Sequence, residues 1–184
     1  MGKFYSSLNE SLQGFAKEQQ IFFVSTAPLE GRINLSPKGY DSFNILTPNR
    51  VLFLNLVGSG NETAGHLLEN DRITLMFCSF TQEPQILKIY GRGKAVHPQE
   101  AGYPDLAQHF KGVKGARQII DITVDSVQTS CGYGVPFFEF KGDREQLNQW
   151  VSNKSPSAID SYQDKNNRIT IDGKPTGLQL PLKK

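Results

Sequence analysis

Two short segments of this chain collect the residue types that hold an anion. Arg32-Ile33-Asn34-Leu35-Ser36-Pro37-Lys38-Gly39 presents a guanidinium, an amide, a hydroxyl and an ammonium within one short strand, a set of donors suited to phosphate or carboxylate. The same residues also read as a solvated edge strand closed by a Pro-Gly turn. Gly58-Ser59-Gly60-Asn61-Glu62-Thr63 lies between an apolar strand and a helix. Free N–H groups at a helix start, with glycines that let the backbone come close, make a phosphate site. The alternative is a tight turn with a capping box, because Ser59 and Glu62 stand three apart. Thr63 occupies the place of the third glycine of a dinucleotide fingerprint. No repeated strand–helix crossovers and no acidic residue after a second strand accompany it, which excludes a Rossmann site.

Other chemistry-bearing residues read more plainly. Ser130-Cys131-Gly132-Tyr133-Gly134-Val135-Pro136 sets two glycines about a tyrosine, as if backbone were pressed against something flat. Cys131 reads as a small buried residue in that bend, since no Cys–His–Asn arrangement accompanies it. Cys78 reads as core. His66, His97 and His109 are too scattered for a metal site. His97 reads as a surface turn residue, and His66, off the apolar stripe of its helix, as an exposed polar one. Tyr90-Gly91-Arg92-Gly93-Lys94, with Lys88, interleaves aromatic and basic residues, a hint of RNA that simple alternation along a strand explains as well.

The elements that must position these residues follow from periodicity. Phe4, Leu8, Leu12 and Phe15 recur at helical spacing, which predicts an N-terminal helix over about 2–18. Strands are expected at residues 20–27, 32–36, 50–57, 72–80, 85–96, 116–130 and 137–140. A helix with Ala64, Leu67 and Leu68 on its inner face follows the second glycine segment. A short one falls within 98–110. Asp143 is expected to cap a last helix carrying Leu147, Trp150 and Val151, followed by a tail that Tyr162, Ile169 and Ile171 pack onto the domain, the two covering about 143–184. Six or seven strands with few helices between them argue for an antiparallel barrel with helical decoration.

Composition bounds the function. The chain has 184 residues, 38% apolar and 21% charged, so one well-cored domain spanning 1–184 is expected. Twenty basic against eighteen acidic residues leave a net charge of +2, which implies neither nucleic-acid nor membrane binding. No apolar run reaches the length of a membrane span. The first twenty residues carry Lys, Glu, Asn and Gln where a secretory signal needs an apolar stretch. Two cysteines build no disulfide framework. A cytoplasmic protein is expected.

Taken in order, these segments resemble one family. Phe22-Phe23-Val24-Ser25-Thr26, the SPKG stretch ending at Gly39, the GSGNET stretch followed by His66-Leu67, Arg72 to Phe77, Tyr90-Gly91-Arg92-Gly93, the Ser130 to Pro136 segment, and Tyr162, Lys165-Asn166 and Ile171-Asp172-Gly173 in the tail are similar to the pyridoxamine 5'-phosphate oxidase-related FMN-binding proteins. The likeness runs from about residue 20 to 177. It implies a mainly β fold with helices, a six-stranded antiparallel split β-barrel, and a homodimer with FMN at its interface. By position, it implies that Asn34, Ser36 and Lys38 border the flavin and its phosphate, and that Ser59, Gly60, Asn61, Glu62 and Thr63 meet the ribityl-phosphate end. The family's enzymes carry Ser-Arg-Lys where this chain has Asn61-Glu62-Thr63. They also end in an arginine-rich segment, and residues 177–184 here contain no arginine. Phosphate charge then falls to Lys38, backbone N–H groups and Arg32. The resemblance implies a flavin-dependent oxidoreductase acting on a small molecule other than a B6 vitamer. A non-catalytic flavin or haem binder on the same barrel is the alternative, and an RNA-binding barrel a third class.

Overall fold

The computed structural model describes residues 2–110 and 112–180. Asn9 decides where the first helix begins. Its side chain accepts the Leu12 N–H at 3.0 Å, satisfying a donor that a first turn leaves without a partner. The residues before it form a strand, β1 (Lys3–Tyr5), so the expected helix is shortened to α1 (Glu10–Glu18). Phe4 is exposed in β1, whereas Leu8 and Leu12 are buried.

From there the chain runs through β2 (Phe22–Thr26), β3 (Asn34–Lys38), β4 (Phe43–Thr47), β5 (Arg50–Leu56), α2 (Glu62–Glu69), β6 (Arg72–Cys78), β7 (Ile86–Val96), α3 (Tyr103–Ala107), β8 (Ala116–Ser130), α4 (Gln146–Ser152) and α5 (Pro156–Asn166). The strands pair antiparallel in the order β3-β2-β6-β7-β8-β5-β4, and β1 adds to β8. The class is the expected one, mainly antiparallel β with helices. The sheet has eight strands rather than six.

No ladder joins β3 to β4, yet the sheet rolls until its two halves meet through side chains. Phe22 of β2 stacks on Phe77 of β6 at 5.3 Å, and Phe43 of β4 reaches both, at 5.5 and 4.9 Å. Aromatic packing thus closes the barrel where hydrogen bonds do not. Leu8, Leu12 and Ala16 plug the same core, with Val24, Phe53, Leu75, Leu87 and Ile122 around them.

Several boundaries moved for identifiable reasons. β3 starts two residues later than expected and contains Pro37, tolerated because β3 is a sheet edge whose outer side needs no donor. Residues 137–140 form no strand, and Phe137, Phe138 and Phe140 are exposed. Asp143 caps nothing, since α4 begins after Glu145. α5 was not anticipated, although Ser155-Pro156 is a strong start signal. The Ser155 side chain accepts the Ala158 N–H at 3.2 Å, and proline suits the first helical position. The tail does pack, but through Asn167, Thr170, Thr176 and Leu178. Ile169 and Ile171 are exposed. Tyr162 meets Trp150 edge-on at 4.9 Å. Residues 181–184 of the expected tail lie outside the described residues. No helix among the described residues is long and apolar enough to cross a membrane.

Candidate functional site

Strand alternation sorts β3 by face: Asn34, Ser36 and Lys38 turn inward, Leu35 and Pro37 outward. β5 delivers Asn55 beside them and ends in the Gly58–Gly60 turn that leads into α2. Asn34, Ser36, Lys38, Ser59, Gly60, Asn61, Glu62 and Thr63 all line one cleft of about 410 Å³. Two segments chosen separately for their donors therefore share a single cavity. Asn34 Nδ2 donates to Thr63 Oγ1 at 3.3 Å, joining β3 to the helix start. Lys38 Nζ donates to Asn55 Oδ1 at 3.1 Å, and Asn55 Nδ2 to Asn61 Oδ1 at 3.4 Å.

The cleft has a second cation that the sequence reading missed. Arg117, near the start of β8, is 4% exposed and lines the same wall. Its Nη1 donates to the Gly60 carbonyl at 2.8 Å and to Asn167 Oδ1 at 2.7 Å. β5 pairs with β8, matching Asn55 with Gln118, and this brings residue 117 to a turn far from it in sequence. The available signal was an arginine and a glutamine in a strand otherwise rich in isoleucine. Arg32, the expected second cation, lies elsewhere: it pairs with Asp172 and lines a neighbouring cleft with Ile33, Ile169 and Ile171.

Among the described residues neither Lys38 nor Arg117 has a carboxylate partner within salt-bridge distance. Burial, and then the charge of Arg117, lower the Lys38 ammonium from 10.5 to about 8. Burial likewise pulls Arg117 down to about 10. Two cations are thus held in a poorly solvated place at a cost that an anion would offset. Three buried polar atoms of the lining residues have no partner: Ser36 Oγ, Asn61 Nδ2 and Arg117 Nε. Each such atom costs about 1–3 kcal/mol, and all three can donate.

The capping box does not form. Asn61 precedes the first turn of α2 without a side-chain cap, so the first N–H groups lack the partner that Ser59 was expected to supply. Glu62, whose charge would oppose a phosphate beside it, has both oxygens engaged by the tail: they accept the Ile171 N–H at 3.1 and 3.2 Å. Leu68, assigned to the inner face, is exposed, and His66 is buried. The His66 ring meets Thr26 Oγ1 at 3.0 Å and is not part of the cleft lining.

Remaining candidates fall outside the site. Cys131 is exposed rather than buried in a bend, while Cys78 is buried as expected. Gly132 needs no flat ligand to explain it: its φ is +68° and a Cβ there would come 2.9 Å from the Gln85 backbone. His97 is buried, not on the surface, and burial lowers its pKa. Arg92 is tied to Asp71 at 2.8 Å and Asp125 at 3.3 Å. No group of three or more His, Cys, Asp or Glu placed to hold a metal occurs among the described residues.

Comparison with known proteins places the chain in a family and its fold among known ones. The family model described as pyridoxamine 5'-phosphate oxidase matches residues 8–131. A curated relative, the pyridoxamine 5'-phosphate oxidase family protein ustO of Aspergillus flavus, is 43% identical over 148 residues, which is 77% of this chain and 59% of that protein. The chain thus matches about three-fifths of that relative's length. Two solved structures share the fold at low identity. A HupZ variant from Group A Streptococcus has a TM-score of 0.55 at 15% identity, covering 67% of this chain and 99% of that one. A candidate pyridoxamine 5'-phosphate oxidase from Lactobacillus delbrueckii has a TM-score of 0.53 at 13% identity, covering 67% and 94%.

Proposed function

The chain belongs to the pyridoxamine 5'-phosphate oxidase family, and on that premise we propose that its cleft binds flavin mononucleotide in a flavin-dependent oxidoreductase acting on a small molecule. One observation carries the reading: half-buried Lys38 and buried Arg117, neither with an acid partner among the described residues, converge on one cavity with unpartnered Ser36 Oγ, Asn61 Nδ2 and Arg117 Nε. A phosphate dianion matches that set in charge and in number of acceptor oxygens. Lys38 and Arg117 would hold it, with Ser36, Asn61 and the uncapped start of α2 supplying neutral donors. Bound flavin would supply the redox chemistry, and the protein's part would be binding, orientation and exclusion of water.

Charge at Lys38 makes the reading testable. Lys38→Ala is expected to weaken FMN by roughly 10- to 100-fold, the worth of one charge-assisted contact. Riboflavin, which lacks the phosphate, should lose much less. Because Lys38 titrates near pH 8, it is charged below that pH and neutral above it. Wild-type affinity for FMN should therefore fall between pH 7.5 and 9.5 while that for riboflavin stays flat, and Lys38→Ala should abolish the slope. Flavin fluorescence titrations decide this. Equal losses for both ligands would put Lys38 at the ring or in the fold and remove the phosphate assignment. Multiple-turnover assays of the flavin-loaded protein with NADH or NADPH and small-molecule acceptors separate an enzyme from a carrier.

We also propose a homodimer. The cleft neighbouring the phosphate site carries Ile33, Leu35, Ile169 and Ile171, each at least 60% exposed, an apolar surface that a single copy leaves in water. Light scattering at micromolar concentration should give twice the 20.5 kDa chain mass. A monomer that binds FMN at full strength would remove the dimer.

A further inference from the structure

The segment that follows the family-matched residues 8–131 does more than cover the barrel. Asn167, at the end of α5, is fully buried and uses every polar group it has. Its Oδ1 accepts from Arg117 Nη1 at 2.7 Å, and its Nδ2 donates to the Gly58 carbonyl at 3.0 Å. Its N–H donates to the Gln163 carbonyl at 2.8 Å, and its own carbonyl accepts from Thr176 Oγ1 at 2.6 Å. One side chain thus ties the buried guanidinium to the glycine turn on either side of the cleft.

The segment that carries Asn167 is itself anchored. Ile171 donates its N–H to Glu62, Lys174 reaches Glu69 at 2.8 Å, and Asp172 pairs with Arg32. Thr170 packs so closely on α2 that a Cβ at Gly65 would stand 2.4 Å from its methyl group. These contacts fix Asn167 before any ligand arrives.

We propose that Asn167 is a positioning residue for the phosphate site, holding Arg117 and the Gly58–Gly60 turn in place while, as a neutral amide, leaving the arginine's charge to the ligand. The inference rests on the FMN reading above. A carboxylate at this position would satisfy the same guanidinium hydrogen bond but would neutralise it and repel a dianion. The amide keeps the geometry without that opposition. Linkage then requires the converse: a ligand that engages Arg117 stabilises the tail.

Asn167→Asp and Asn167→Ala, titrated with FMN and with riboflavin, test this together with amide hydrogen exchange on the wild-type chain. Asn167→Asp is expected to lower FMN affinity by roughly 10- to 100-fold and riboflavin affinity by no more than about threefold. Asn167→Ala, which removes the bonds without adding charge, should fall between wild type and Asn167→Asp for FMN. FMN should slow exchange at the amides of Asn167, Thr170 and Thr176 more than riboflavin does, a readout that stands even if a variant fails to fold. Equal losses of FMN and riboflavin, or equal protection by both, would make Asn167 a fold residue only and overturn the inference while leaving the FMN reading intact. Wild-type protein with no preference for FMN over riboflavin overturns both.

Discussion

Arg117→Met is expected to weaken FMN by at least about 100-fold and riboflavin by only a few fold. Its unliganded melting temperature should change little. The first expectation follows from desolvation. Arg117 is 4% exposed, so its attraction to a dianion is screened far less than that of a surface pair. Its Nε has no partner and is free to donate to one. The second expectation follows from two opposing terms. Burial lowers the arginine's pKa to about 10, the direction expected where desolvation opposes holding the charge in the unliganded fold. Removing it relieves that cost but leaves the Gly60 carbonyl and Asn167 Oδ1 without their donor, at about 1–3 kcal/mol each. Methionine conserves much of the volume, so cavity formation adds little. Fluorescence titration and thermal unfolding of the same preparation decide the outcome. A fall in melting temperature of about 10 °C or more would mean that Arg117 serves the fold first.

Gly91→Ala should be the most destabilising single methyl group in the barrel. β7 and β8 slip register between Tyr90 and Gly91, so that Asp125 is left over on β8. This bulge bends the longest strand pair of the sheet. At that bend a Cβ on residue 91 would stand 2.3 Å from the Thr123 carbonyl oxygen and 3.0 Å from Ile122 Cγ2. Backbone cannot rotate aside as a side chain can, so the two strands must separate locally. The loss is expected at about 3–5 kcal/mol, or roughly 10 °C in melting temperature for a chain of this size. Gly14→Ala supplies the contrast. It lies on the exposed face of α1 with nothing near its Cβ, and alanine there should stabilise by about 0.5–1 kcal/mol. Urea or thermal unfolding of the two variants checks the pair. Equal stability of Gly91→Ala and wild type would show that the strands yield at the bulge.

Much of the barrel could be read from local pattern. Residues 50–56, 72–78, 86–96 and 116–130 alternate or run apolar strongly enough that their strands appear nearly where expected. Where the reading failed, a local device had overruled periodicity. Asn9 started α1 later than the apolar stripe suggested. An edge position made Pro37 harmless within β3. Ile171 took the Glu62 carboxylate that a capping box would have used. Phe137, Phe138 and Phe140 looked like a strand by composition, but they join no ladder among the described residues; Phe138 instead donates its N–H to the Phe80 carbonyl at 3.2 Å and packs edge-on against the Phe80 ring.

The candidate site divides along the same line. Asn34, Ser36, Lys38 and the residues from Ser59 to Thr63 stood out as two short clusters of donors and close backbone, each with a plainer reading as an edge strand or a capped turn, and it was the family resemblance that joined them to one ligand. Amino-acid type and short-range spacing are sequence properties, and they sufficed for the class of fold. That the two segments share one cavity depends on β3 and β5 converging through a rolled sheet. That its second cation is Arg117, held by Asn167, depends on β8 pairing with β5 and on the tail returning across α2. Charge and hydrogen bonding act over a few ångströms, while residues 38, 60, 117 and 167 are scattered along the chain. Only the tertiary fold brings them within that range.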